Sequence, residues 1–321
     1  MPSPRSLALL LCAVSLAACG GGSATDVVNA DGATDVPVGT DSAGDVPMDT
    51  PAPRCGAMRP DIMSISGTEG LVIGPDGTIY YSQANAVGRM RPGEAQDDAW
   101  APLGARAGTV WGLALDVANH MIYAGSPSAG TIFSVDYMAT PPTVANYVPS
   151  AGQPNGLTMG PDGALYYSDF GAGAVFRVAP GGTRTRASST TAIGQANGLA
   201  FGTDGSLYVL SYAAGTLNQL TMAGGMETGR TVIARMLGNP DGLALDATGR
   251  FYVTNNSGGT LTRLDADGTN PMRLLSGVSA AASVEFGAGA LNCNDIYVAS
   301  GGALRRYEMG DTAGAMVPWH P

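Results

Sequence analysis

The chain has 321 residues, with 47 glycines, 21 prolines, 7% aromatic residues and a formal charge of −10 at neutral pH. Every basic side chain is an arginine, and the arginines form no basic stripe, which argues against a nucleic-acid partner. The abundance of glycine, without any long stretch of helical period, predicts an all-β protein with many turns.

Residues 1–18 have the features of an export signal. Arg5 precedes an apolar run from Leu7 to Ala18, which is too short for a permanent membrane-spanning helix. The tetrapeptide LAAC that ends at Cys19 resembles the lipobox of bacterial lipoproteins, which implies cleavage before Cys19 and lipidation of its sulfur. We therefore expect a lipid-anchored protein of the bacterial cell envelope, in the outer membrane or periplasm, whose only membrane contact is the anchor. An ordinary secretory signal cut nearby is the alternative.

Residues 19–54 form a segment of very different composition. Gly, Asp, Ala, Thr and Pro dominate it, aromatic residues are absent, and six aspartates lie between residues 20 and 53 without a base among them. Such a segment cannot bury enough apolar surface to offset its ordering entropy. It is predicted to be a disordered, self-repelling tether.

Residues 55–321 contain a repeat with a period of 42 to 44 residues. Each copy has a variable residue before a Gly-Leu step, then a strand, a hairpin turn, a second strand, a glycine-rich turn and a third strand. This period predicts a propeller. The variable residues that open the copies are Glu69, Trp111, Asn155, Asn197 and Asp241, with Ala282 in a degenerate sixth copy. We therefore predict a six-bladed β-propeller of four-stranded antiparallel blades.

Two cysteines fall within the predicted propeller, Cys55 at its entry and Cys293 in the last repeat. In an oxidising compartment such a pair is expected to form a disulfide. This bridge would join the first and last blades across a loop of more than 200 residues. Two unpaired buried thiols are the alternative.

The residues that open the copies are expected to converge on one end of the channel, because propeller repeats are related by rotation. Glu69 and Asp241 bring carboxylates to this ring, and Asn155 and Asn197 bring carboxamides. Oxygen ligands of this kind suit a hard cation such as Ca²⁺. Without a cation the two carboxylates would repel each other and have raised pKa values. The alternative is that these polar side chains bond only to each other and to channel water.

The same motifs resemble a known family. The Glu-Gly step at Glu69, the Pro-Asn-Gly at Asn155, the Asn-Gly-Leu at Asn197 and the Pro-Asp-Gly-Leu at Asp241 are similar to those of the gluconolactonase, regucalcin and luciferin-regenerating-enzyme family, over nearly all of residues 60–310. The resemblance implies a divalent cation held by Glu69, Asn197 and Asp241, with Ca²⁺ preferred and Zn²⁺ or Mg²⁺ as alternatives. It also implies that Asp241 is the general base and that Asn155 contacts substrate.

The third repeat departs from the family pattern. Many members have an Arg-x-Asn-Asp segment whose arginine contacts a sugar acid, whereas this chain has Gln153 before Pro-Asn155-Gly and lacks the second acid. We assign Gln153, Asn155 and Trp111 to substrate binding, with Trp111 either a wall of the pocket or part of the blade packing.

The expected function is a divalent-metal-dependent, monomeric hydrolase of the lactonase type that acts on a small lactone or ester. No G-x-S-x-G motif is present for a serine hydrolase. A non-catalytic envelope propeller that binds a protein, glycan or small ligand is the alternative, because the arginine and acid of the third repeat are missing. A propeller resembling streptogramin lyases would need a histidine near the ring, and only His120 and His320 exist.

Overall fold

The structure, a computed structural model, describes residues 56–57, 68–301 and 303–308. The predicted signal peptide and tether, and with them Cys19, lie outside these residues, as do Cys55 and His320. The described residues contain 23 strands, and no helix among them is long and apolar enough to cross a membrane. The strands form six antiparallel sheets, each a meander in chain order, which confirms the predicted six-bladed propeller.

The first three blades have four strands each. Blade one contains β1 (Leu71–Ile73), β2 (Ile79–Gln83), β3 (Ala86–Met90) and β4 (Asp97–Pro102). Blade two contains β5 (Leu113–Asp116), β6 (Met121–Ser126), β7 (Thr131–Asp136) and β8 (Thr143–Val148). Blade three contains β9 (Pro154–Met159), β10 (Leu165–Asp169), β11 (Ala174–Val178) and β12 (Arg184–Arg186).

Blades four and five also have four strands, and blade six has three within the described residues. Blade four contains β13 (Ala196–Phe201), β14 (Leu207–Ser211), β15 (Thr216–Ala223) and β16 (Met226–Ala234). Blade five contains β17 (Pro240–Leu245), β18 (Phe251–Asn255), β19 (Thr260–Leu264) and β20 (Met272–Ser276). Blade six contains β21 (Ala281–Phe286), β22 (Asp295–Ser300) and β23 (Ala303–Glu308).

The core consists of apolar clusters between successive blades rather than one central mass. Every pair of neighbouring blades shares one buried cluster. The last of these joins Leu71 and Tyr81 of blade one to Tyr297 and Leu304 of blade six, so that the ring closes by apolar packing. Burial of this kind stabilises by roughly 25 cal/mol per Å² of apolar surface.

The repeated glycine has a packing role on the inner strands. A Cβ atom added to any of these glycines would collide with the backbone carbonyl of the ring residue on the next blade. The pairs are Gly70 with Trp111, Gly112 with Asn155, Gly156 with Asn197, Gly198 with Asp241, and Gly242 with Ala282. Glycine is therefore required because the inner strands approach one another closely around the channel.

Blade six contacts Gly56, the first described residue of the chain. The amide of Gly56 donates a hydrogen bond to the Gly289 carbonyl at 2.6 Å, and Cys293 lies buried four residues further on. Since Cys55 lies outside the described residues, the Cys55–Cys293 disulfide stays a prediction.

Candidate metal centre and channel mouth

A backbone irregularity sets the direction of the ring side chains. The pairing of the inner strand with the second strand shifts register between Ala196 and Leu199 in blade four and between Pro240 and Leu243 in blade five. A bulge of this type re-aims the residue within it. Asn197 and Asp241 are the residues re-aimed in this way, and both line the central cavity.

All six ring residues line one cavity of about 360 Å³ at the centre of the propeller. This volume is within the range of small-molecule sites. The structure thus brings Glu69, Trp111, Asn155, Asn197 and Asp241 to one place, as the repeat phase predicts.

The two carboxylates of the ring interact with each other. Burial, together with repulsion from Asp241, raises the pKa of Glu69 to about 8. Burial also raises the pKa of Asp241 to about 6, and hydrogen bonds from Asn256 and Asn197 oppose that rise only in part. The Asn256 bond joins its Nδ2 atom to Asp241 Oδ2 at 2.8 Å. The pair is therefore unfavourable in its fully charged form unless a positive charge lies nearby.

The side chain of Asn197 has one amide atom that is hydrogen-bonded and one that, among the described residues, is not. Its side chain is 2% exposed, and its amide nitrogen donates to Asp241. Its Oδ1 atom is buried without a hydrogen-bond partner among the described residues. A buried acceptor of this kind is costly and calls for an explanation. A cation held between this oxygen and the two carboxylates would satisfy all three groups at once.

The ligand atoms at this site are all oxygens, the type that a hard divalent cation prefers. Two carboxylates would balance the ionic charge, and a carboxamide oxygen is a usual ligand of Ca²⁺. Among the described residues, no group of three or more His, Cys, Asp and Glu side chains is placed to hold a metal ion by itself. A site here would therefore depend on the asparagine oxygen and on water to complete the coordination.

The three predicted substrate-binding residues occupy two different environments. Asn155 is 8% exposed and lines the cavity, as does the half-buried Trp111. Gln153 is exposed and is not part of the cavity lining. Its carbonyl accepts a hydrogen bond from the Phe170 amide at 3.0 Å.

A second set of residues lies at the channel mouth that the repeat motifs did not predict. In blades three to six, the residue after the second strand donates its amide to the residue two positions before the ring. The donors and acceptors are Phe170 to Gln153, Tyr212 to Gln195, Asn256 to Asn239 and Gly301 to Ala280. Alignment of the ends of the second strands would have placed these donors in phase, although their residue types differ between blades and form no motif.

The only described histidine lies away from the ring. His120 is exposed in the hairpin between β5 and β6, at the opposite end of the inner strand, and its ring contacts Tyr137 edge-on at 5.7 Å. Within the described residues, no imidazole is therefore available at the channel mouth.

Comparison with known proteins agrees with this architecture. Residues 172–302 match the model of the SMP-30/Gluconolactonase/LRE-like region, a span that includes Asn197 and Asp241. No curated protein sequence matches the chain.

Solved structures share the fold over most of the chain. A gluconolactonase from Xanthomonas campestris is 21% identical, with a TM-score of 0.63 over 76% of this chain and 86% of that one. A calcium-binding protein, regucalcin, from Agrobacterium tumefaciens is 16% identical, with a TM-score of 0.64 over 83% of this chain and 97% of that one. A virginiamycin B lyase from Staphylococcus aureus is 14% identical, with a TM-score of 0.58 over 79% and 90%. At these identities the likeness shows the fold.

Proposed function

We propose that this chain is a divalent-metal-dependent hydrolase of the lactonase type, acting on a small lactone or ester. The observation that carries this proposal is the convergence on one cavity of Glu69, Asp241 and the Asn197 oxygen, which has no hydrogen-bond partner among the described residues. The family match over residues 172–302 and the gluconolactonase of similar fold support it.

Glu69, Asn197 and Asp241 would hold the cation, with Ca²⁺ preferred and Zn²⁺ or Mg²⁺ as alternatives. A bound cation supplies positive charge that balances the carboxylates and polarises an ester carbonyl. The calcium-binding protein of similar fold supports this choice of ion.

The chain's own residues would activate water. Asp241 accepts a proton from water while the water oxygen bonds to the carbonyl carbon. The carbon–oxygen bond of the ester then breaks, and the leaving alkoxide takes the proton to give a hydroxy acid. Asn256 holds the Asp241 carboxylate in place through its hydrogen bond of 2.8 Å. Asn155, in the same cavity, would orient the substrate or the water.

Titration calorimetry with Ca²⁺ and a lactone-hydrolysis assay, with and without chelator, test this function together. Glu69→Gln and Asn197→Leu should each weaken Ca²⁺ binding by at least about tenfold and abolish most turnover. Asp267→Asn, in an exposed hairpin turn, is the matched control and should change neither. If the ring variants keep wild-type metal affinity and turnover, the proposal is wrong.

The same calorimetry and lactone assay distinguish a catalytic propeller from the alternative, a propeller that only binds a ligand. The exposed position of Gln153, where many family members have an arginine, favours that alternative. A protein that binds no divalent ion and turns over no lactone would be assigned to it.

We also propose that the protein is a monomer anchored in the bacterial envelope through lipidated Cys19, with Cys55 and Cys293 paired. Cys19→Ala should release the protein from membranes in fractionated cells. Intact-mass measurement before and after reduction, with thiol alkylation, should show one disulfide. A soluble wild-type protein, or two alkylatable thiols without reduction, would contradict the respective proposal.

A further inference from the structure

Three aromatic side chains form a continuous arc on one side of the channel mouth. The ring of Trp111 contacts Phe170 edge-on, with centroids 5.9 Å apart, and Phe170 contacts Tyr212 in the same manner at 5.8 Å. The three residues come from blades two, three and four. The aromatic arc therefore spans three blades, although no two of its members are near in sequence.

The aromatic arc is connected to the acidic part of the site. Its last member, Tyr212, has its hydroxyl 3.5 Å from Ser257 Oγ in blade five. Ser257 directly follows Asn256, whose side-chain Nδ2 donates a hydrogen bond to Asp241. At its other end, Trp111 is itself a member of the ring that lines the cavity. Phe170 and Tyr212 are not among the cavity-lining residues, so the arc begins in the cavity at Trp111 and continues beside it at the mouth toward blade five.

Packing between blades does not account for the arc. The six apolar clusters between successive blades contain none of its three residues. All three side chains are only half-buried. Aromatic surface left in this state beside a cavity is typical of a ligand-binding wall.

The opposite side of the mouth carries small residues. Ala282 is the ring residue of blade six, Gly301 follows its second strand, and Ala84 follows the second strand of blade one. The mouth is therefore asymmetric, with an aromatic wall on blades two to four facing small residues on blades six and one.

The charge of the cavity restricts what the wall can bind. The described residues that line the cavity include Glu69, Asp116, Asp241 and Glu285 but no arginine. Even with a cation balancing Glu69 and Asp241, no basic side chain in this lining would offset the desolvation of an anionic group. The faces of three aromatic rings also offer few hydrogen-bond partners to a ligand rich in hydroxyl groups.

We propose that the Trp111–Phe170–Tyr212 arc binds an apolar ring of the substrate, so that the preferred substrates are uncharged lactones or esters that carry an aromatic ring, rather than polyhydroxylated sugar lactones. The inference rests on the proposed hydrolase function, since it names the substrate class of the same site. It assigns Phe170 and Tyr212 to specificity and not to the chemical step.

Two δ-lactones with alkyl ester linkages test the proposal, since one differs from the other chiefly by a fused benzene ring. They are 3-isochromanone and δ-valerolactone, and glucono-δ-lactone is the sugar comparison. The Phe170→Leu/Tyr212→Leu double variant should lower kcat/KM for 3-isochromanone by about 30-fold and that for δ-valerolactone by less than about threefold. Phe176→Leu is the control, because Phe176 is also a partly buried aromatic but stacks on Tyr167, at 5.4 Å, in blade three.

Equal losses for both lactones, no loss for 3-isochromanone, or a wild-type preference for glucono-δ-lactone would overturn the proposed specificity. If the wild type hydrolyses none of the lactones, the proposed function fails, and calorimetry with isochroman and tetrahydropyran then tests the arc alone. Binding of isochroman but not tetrahydropyran, weakened at least about tenfold in the double variant and unchanged in Phe176→Leu, would support the aromatic wall. Absence of isochroman binding, or binding that the double variant leaves unchanged, would overturn it.

Discussion

The two ends of the inner strands carry carboxylates in opposite electrostatic situations. At the hairpin end, burial raises the pKa of Asp246, but hydrogen bonds from Thr248 and Arg250 more than offset this and leave it below its usual range. Arg250 Nε lies 2.7 Å from Asp246 Oδ2. At the ring end, the pKa values of Glu69 and Asp241 are raised instead.

The difference lies in the partners and not in burial alone. Asp162, in blade three, repeats the hairpin arrangement, with Arg177 Nε at 2.6 Å from its Oδ2 atom. At the ring, the partners of Asp241 are two neutral amides, and the charged group with which it interacts, Glu69, is another acid. Compensated carboxylates stabilise a fold, whereas uncompensated ones cost stability and are expected where a ligand completes them.

Asp241→Asn should have the largest effect on function. The variant loses both the proton acceptor and one negatively charged ligand of the cation. Turnover should fall by about 10³-fold, and Ca²⁺ binding should weaken by at least about tenfold. In chelator, the same variant should unfold at equal or slightly higher denaturant concentration, because it removes charge repulsion with Glu69. Kinetics, calorimetry and denaturant titration check the three effects, and a variant that keeps its activity would contradict the role of Asp241.

Asp246→Asn should reverse this pattern. The variant leaves Arg250 without the carboxylate that it contacts at 2.7 Å, so the free energy of unfolding should fall by about 2–3 kcal/mol. Ca²⁺ affinity should stay within about twofold of wild type. Denaturant titration and calorimetry measure both values, and a selective loss of metal binding without loss of stability would break the distinction between the two ends.

Glu285 offers a third case, since burial alone raises its pKa to about 8. The folded state binds this proton more tightly than the unfolded state. Its contribution to stability is therefore fully present below the ordinary pKa of 4.5 and is lost as the pH rises through about 8. Without metal, Glu285→Gln should remove about 2 kcal/mol of the fall in stability between pH 5 and pH 8, less than the full shift because Glu285 is only partly buried. If the free energy of unfolding changes with pH equally in wild type and variant across this range, the prediction for Glu285 is wrong.

Asn256→Ala should have the smallest effect of the four. Removal of the 2.8 Å bond to Asp241 should lower kcat by about five- to tenfold, with KM changed by less than about twofold, because the base loses its orientation and not its chemistry. Asn256→Gln, which retains an amide donor, should recover part of the loss. A rise in KM with unchanged kcat would instead assign Asn256 to substrate binding.

The sequence was most informative where one physical requirement recurs in five of the six blades. The glycine after the ring residue is needed because the next blade's carbonyl occupies the space of a side chain. That requirement makes the period visible and puts Glu69, Asn197 and Asp241 in phase. Gln153 shows the limit, because it lies only two residues before Asn155 and yet is exposed outside the cavity.

What the sequence by itself determined is therefore the six-bladed fold and the membership of the ring, both of which follow from repeated local spacing. Only the tertiary structure placed Phe170, Tyr212 and Asn256 at the mouth, since their residue types differ from blade to blade and share no motif. It alone showed that Asn197 Oδ1 lacks a partner among the described residues while the neighbouring nitrogen is engaged by Asp241. Hydrogen bonding and burial depend on contacts between blades, and those contacts exist only once the ring has closed.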